Sequence, residues 1–153
     1  MINVIEKSIK DILGIVTEKT LIIPVSNIGF IQDKLIRDIT YMNQGMFNCL
    51  KELVDSGKIF DDYYDETTNS LIIFIIAFDA LNGPTKFNKD VFMKGFELAI
   101  NGFTKKNLGE PTTYILEPLL FNGFDMEAVF ENILEISTVV GVDINFVKAT
   151  PIL

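Results

Sequence analysis

The chain has no histidine and no tryptophan, and only one cysteine (Cys49) and one arginine (Arg37) in 153 residues. Without imidazole it lacks the side chain that most often acts as general base near neutral pH and as metal ligand. With a single guanidinium it has little to grip phosphate or carboxylate bidentately. Ser-His-Asp and Cys-His nucleophile systems cannot be assembled, and no S-x-x-K pair supplies the serine–lysine variant. Neither G-x-G-x-x-G nor G-x-x-x-x-G-K-[ST] occurs, and the one Gly-Lys pair, Gly57-Lys58, has no glycine at the required distance before it. Zinc and di-iron centres want His or Cys, so no cofactor and no metal is expected, and an enzyme is the last function class that this composition favours.

The lone Cys49 excludes an internal disulfide. At helical spacing it falls beside Leu50 and Leu53 and reads as a small core hydrophobe. The first residues, Met1-Ile2-Asn3-Val4-Ile5-Glu6-Lys7, carry mixed charge where a signal peptide would have a basic start and an unbroken apolar region, which gives the expectation of a cytoplasmic protein. The longest apolar run, Leu71 to Phe78, is stopped by Asp79 and is far short of the roughly 20 residues needed to span a bilayer.

What the chain does have is acid and apolar bulk. Its net charge is −8, it is 48% hydrophobic, and its mean hydropathy is +0.32. The negative balance disfavours nucleic acid and anionic lipid, so neither direct nucleic-acid binding nor membrane association is expected. The apolar surplus implies a large core or a surface reserved for a partner or a second copy, which leaves homo-oligomerisation open. The length predicts one globular domain over 1–153, burying roughly 70% of the surface its unfolded chain exposes.

Along the chain, Ile2, Ile5, Ile9, Ile12, Leu13 and Val16 fall at helical spacing and predict a first helix. Leu21-Ile22-Ile23 before Pro24 predicts a short extended or buried connector, with Ser26 or Asn27 as the next N-cap. Ile31, Leu35, Ile39, Met42, Met46, Leu50 and Leu53 predict one long helix or two consecutive ones divided near Asn43 by Gly45, with Ser56-Gly57 as the stop. Asp61 to Ser70 is the most polar stretch and reads as a loop. Leu71 to Phe78 suits a buried helix, the competitor being a strand paired in a hairpin with Lys58 to Tyr64. Asn88 should cap a helix whose stripe is Val91, Phe92, Phe96 and Ala99 or Ile100, and a last helix should start near Asp125 and be followed by Gly141. Asn82-Gly83, Asn101-Gly102 and Asn122-Gly123 resemble three helix stops. The expected fold is therefore mainly α, a compact bundle of about five to seven helices with short Asn-Gly-terminated connections. The alternative is α+β with a hairpin around 58–78.

Two acidic groups are the candidate sites. Asp61, Asp62, Tyr63, Tyr64, Asp65 and Glu66 set four carboxylates around two tyrosines of the kind that anchor interfaces. Their spacing is not that of a calcium loop. Glu127, Glu131 and Glu135 repeat every fourth residue on one helix stripe, where like charges repel by roughly 0.2–0.5 kcal/mol per pair unless a cation answers them. Together they suggest a non-enzymatic acidic protein that binds a basic protein partner, most simply an immunity- or antitoxin-type inhibitor of a basic effector such as a nuclease toxin. Two alternatives are a phage- or plasmid-encoded counter-defence or adaptor protein acting as an oligomer, and a helical carrier whose Phe- and Ile-rich interior holds an apolar ligand.

Overall fold

The structure, a computed structural model, describes residues 2–5, 19–31, 34–66, 70–79, 86–105, 112–116, 126–140 and 144–147. The strands are β1 (Ile2–Ile5), β2 (Lys19–Ser26), β3 (Phe60–Asp65), β4 (Ser70–Asp79), β5 (Lys86–Phe87), β6 (Thr112–Leu116) and β7 (Ile144–Val147). The helices are α1 (Lys34–Met42), α2 (Gln44–Ser56), α3 (Lys89–Lys105) and α4 (Met126–Val140). The strands form one seven-stranded sheet in the order β1-β7-β6-β2-β4-β3, with β5 also on β4. The pairs β1–β7, β7–β6, β6–β2 and β2–β4 are parallel, whereas β3 and β5 run antiparallel to β4.

This corrects the helical bundle. The fold is α/β, with helices on both faces of a mostly parallel sheet. The reason lies in β2 and β4. Leu21, Ile23 and Val25 of β2, with Ile72 and Phe74 of β4, pack on one face against Ile36 of α1 and Met46, Cys49, Leu50 and Leu53 of α2. Ile22 of β2 and Leu71, Ile73, Ile75 and Ala77 of β4 pack on the other against Phe92, Phe96, Ala99 and Ile100 of α3 and Ile133 of α4. A strand covered on both faces is apolar at every position, so its sequence shows no alternation and is indistinguishable by period from a buried helix. Leu71 to Phe78 is therefore strand, not helix.

Two further expectations are corrected. Ile2–Ile5 is strand β1, paired with β7 near the other end of the chain, not the start of a helix. The remainder of the expected first helix lies outside the described residues. The polar stretch from Asp61 is an edge strand rather than a loop. It pairs Phe60 with Ile75 through Asp65 with Ser70, the hairpin weighed as the competitor, here one margin of a larger sheet.

The helix pair was legible. α1 and α2 are divided at Asn43, whose side-chain Oδ1 accepts the Met46 N–H at 3.1 Å, and α2 ends on Gly57 at φ 69°. Asn88 Oδ1 accepts the Val91 N–H at 3.2 Å at the start of α3, but that helix runs through Asn101-Gly102 to Lys105. Asn82-Gly83 and Asn122-Gly123 lie outside the described residues. Among the described residues, no helix is long and apolar enough to cross a membrane.

Candidate functional site

In an open parallel sheet, ligands bind beyond the carboxyl ends of the strands, where neighbouring strands send their connections to opposite faces. β2 leads to α1 and α2 on one face, while its neighbours β4 and β6 lead to α3 and α4 on the other. That rule puts the candidate crevice at the carboxyl end of β2. Residues 80–85 and 117–125, which follow β4 and β6 in sequence, lie outside the described residues.

The wall of this crevice from β2 is the turn Ser26-Asn27-Ile28-Gly29-Phe30. Ser26, fully buried, holds it together. Its Oγ accepts the N–H of Ile28 at 3.2 Å and of Phe30 at 2.8 Å, its carbonyl accepts the Gly29 N–H at 3.0 Å, and its own N–H donates to the Phe30 carbonyl at 3.0 Å. The Asn27 N–H donates to the Phe78 carbonyl at 3.0 Å, fastening the turn to β4 just past a bulge, where Val25 pairs with Ile76 but Ser26 with Phe78. Gly29 has φ +83°, a conformation that costs residues with a Cβ, and a Cβ there would come 3.0 Å from Val54 Cγ2. The amides of residues 26–30 are thus all engaged within the turn or with β4, so the wall is rigid.

On this frame the side chains of Ile28 and Phe30 are held outward, 53% and 41% exposed. The guanidinium of Arg37, on α1, lies 5.1 Å from the centre of the Phe30 ring, and its Nη1 donates to the Ile31 carbonyl at 3.4 Å. One helical turn on, exposed Tyr41 meets Phe47 of α2 edge-on with ring centres 5.9 Å apart. The arrangement offers an apolar and aromatic ledge with a cation beside it, which suits a ligand combining a flat ring with an anionic group.

The residues singled out from sequence lie elsewhere. Asp61, Asp62, Tyr63, Tyr64 and Asp65 form edge strand β3, and Glu66 follows it exposed. Strand geometry sends Asp61, Tyr63 and Asp65 to one face and Asp62 and Tyr64 to the other, so the four acids do not converge. Tyr63 packs against the α1–α2 core while Tyr64 is 43% exposed. Glu131 and Glu135 are exposed on α4, with Glu127 one turn earlier. α4 packs on α3 and reaches β1, the sheet margin opposite β3, so the two acidic groups make no common surface. Cys49 is buried, and burial, reinforced by the negative charge of Asp61, Asp62 and Glu52, pushes its thiol up to about 12. Sequence reasoning missed the Ser26–Phe30 turn as a site. The available signal was an apolar run closed by Ser-Asn-x-Gly and followed by a helix, which marks a strand-to-helix turn.

The sequence matches no protein-family model and no curated protein. Solved structures do resemble it. A macrodomain protein from Streptomyces coelicolor superposes with TM-score 0.72 at 8% identity, covering 98% of this chain and 100% of that one. The macrodomain of Thermus aquaticus DarG gives 0.72 at 11%, covering 97% and 98%, and that of Mycobacterium tuberculosis DarG gives 0.69 at 14%, covering 98% and 99%. At such identities the likeness is one of fold: the chain has a macrodomain-like α/β architecture. That finding overturns the expectation of a helical immunity- or antitoxin-type inhibitor, and with it the helical-carrier alternative.

Proposed function

We propose that this chain binds a nucleotide of the ADP-ribose class in the crevice at the carboxyl end of β2. The observation that carries the reading is the Ser26–Phe30 turn at the topological switch point, rigid and displaying Ile28 and Phe30 toward solvent. The macrodomain-like fold supports it, since macrodomains include ADP-ribose binders and hydrolases. Binding without turnover is the reading favoured here, because the described part of the crevice offers an aromatic ledge and a guanidinium and the chain contains no imidazole to move a proton near neutral pH. The basic protein partner expected from the acidic surface remains a separate proposal about other faces of the molecule.

Calorimetric titration of ADP-ribose, with adenosine and ribose 5-phosphate as fragments, tests the proposal. Saturable 1:1 binding that Phe30→Ala weakens is expected, and no heat or spectral perturbation at millimolar ADP-ribose overturns it. Incubation with an ADP-ribosylated peptide, followed by mass spectrometry, tests the non-catalytic reading: the modified peptide is expected to persist.

A further inference from the structure

We infer that Arg37 is the anion-receiving residue of the crevice, taking a phosphate of the bound ligand with the part of its guanidinium that the protein leaves unused. The inference deepens the proposed function and rests on it for the identity of the ligand. Arg37 is the only arginine in a chain of net charge −8, so its place beside the candidate crevice is not explained by a generally basic surface. It is half-buried, and its one hydrogen bond among the described residues, to the Ile31 carbonyl, uses a single donor of five. No carboxylate among the described residues pairs with it, although 21 acids are present in the sequence. The other donors of the fork have no acceptor among the described residues and are available to an anion.

Its surroundings hold it in place. The Phe30 ring covers one side and the Ile31 carbonyl fixes one nitrogen, so the planar fork loses little further freedom when an anion meets it. Nor do the turn amides compete for that role. The N–H groups of Ser26, Asn27, Ile28, Gly29 and Phe30 are already donated to the Phe30 carbonyl, the Phe78 carbonyl, Ser26 Oγ, the Ser26 carbonyl and Ser26 Oγ respectively. A phosphate resting on this turn finds no free amide in residues 26–30, whereas Arg37, braced against the outward-held Phe30, has the fork geometry that matches phosphate oxygens.

The test compares wild type, Arg37→Lys, Arg37→Ala and Phe30→Leu, each titrated with inorganic pyrophosphate, ADP-ribose and uncharged adenosine. Arg37→Ala is expected to weaken pyrophosphate and ADP-ribose by about ten- to a hundredfold, the loss that follows removal of a charge-assisted hydrogen-bonding partner, and to leave adenosine unchanged. Arg37→Lys keeps the charge but not the fork and should fall between. Phe30→Leu should weaken pyrophosphate by unseating the guanidinium. ADP-ribose binding that is equally tight in wild type and Arg37→Ala overturns the inference and leaves the proposed ligand standing. Wild-type binding of pyrophosphate but not ADP-ribose, lost in Arg37→Ala, upholds the inference and removes the proposed ligand. Absence of any anion binding by wild type overturns both. Thermal unfolding of each variant separates these outcomes from loss of fold, and Arg37→Lys carries the comparison if Arg37→Ala does not fold.

Discussion

The ring of Tyr63 on β3 occupies the space that a side chain at Gly45 on α2 would need, so that a Cβ at Gly45 would fall on Tyr63 Cζ, Cε2 and Oη. One glycine thereby allows α2 to approach the edge strand closely enough for Tyr63 to complete the α1–α2 core. In a free helix Gly45→Ala would gain about 1 kcal/mol from propensity. Here the ring must be displaced, an overpacking cost of about 1–3 kcal/mol, so urea unfolding should show net destabilisation. The same substitution in a Tyr63→Ala background should be neutral or stabilising, and a sign that does not change between backgrounds would refute the contact.

Ser26→Ala removes the acceptor of two turn amides and should cost about 1–3 kcal/mol, because the Ile28 and Phe30 N–H groups are then unsatisfied. Gly29→Ala should cost about 1–2 kcal/mol for its left-handed backbone, with a further penalty from Val54. Hydrogen exchange at the Phe30 amide should quicken in both variants, and ADP-ribose affinity should fall with it. Unchanged exchange at that amide would show that the turn does not depend on Ser26.

The Cys49 thiol, pushed up to about 12 by burial and neighbouring carboxylates, stays neutral in the native state. Alkylation by iodoacetamide at pH 8.5 should be slow in native protein and rapid in denaturant, since only the thiolate attacks. The unfolded thiol ionises near its ordinary value of 9 while the native thiol keeps its proton, so the native state binds more protons above that pH. The Cys49 contribution is fully present below pH 9 and is lost as pH rises from about 9 towards 12. Cys49→Ala should flatten this part of the stability–pH curve, read by chemical denaturation at fixed pH steps.

On β3 the carboxylates of Asp61, Asp62 and Asp65 stand along a sheet margin, where charge deters pairing with another chain. Asp61→Val with Asp62→Val should raise concentration-dependent association, measured by light scattering, with secondary structure retained by circular dichroism. A double variant that scatters no more than wild type would remove this role for the acids.

Local chemistry was readable wherever neighbours in sequence are neighbours in space. The break at Asn43 and the cap at Asn88 each join a side chain to an amide three residues on, the stop at Gly57 needs only a left-handed backbone that glycine adopts freely, and each is present. The stripe Phe92, Phe96, Ala99 and Ile100 is buried, as an amphipathic helix requires. The α3 stop was misplaced because Asn101-Gly102 has the chemistry of a terminus without the obligation to be one.

What the sequence by itself determined is the break between α1 and α2, the end of α2 and the start of α3, the burial of Cys49, and an acidic chain with no histidine chemistry, whereas the cap expected at Ser26 or Asn27 is the end of β2 and α1 starts only at Lys34. Only the tertiary structure decided that Leu71 to Phe78 is a strand, that Ile2–Ile5 pairs with Ile144–Val147, and that Ser26, Phe30 and Arg37 meet beyond the carboxyl end of β2. The physical reason is that a strand buried on both faces has no period of its own, and its partners are supplied by hydrogen bonds to residues tens of positions away. A binding site at a topological switch point belongs to the order of strands in the sheet, a property that no local window of the chain contains.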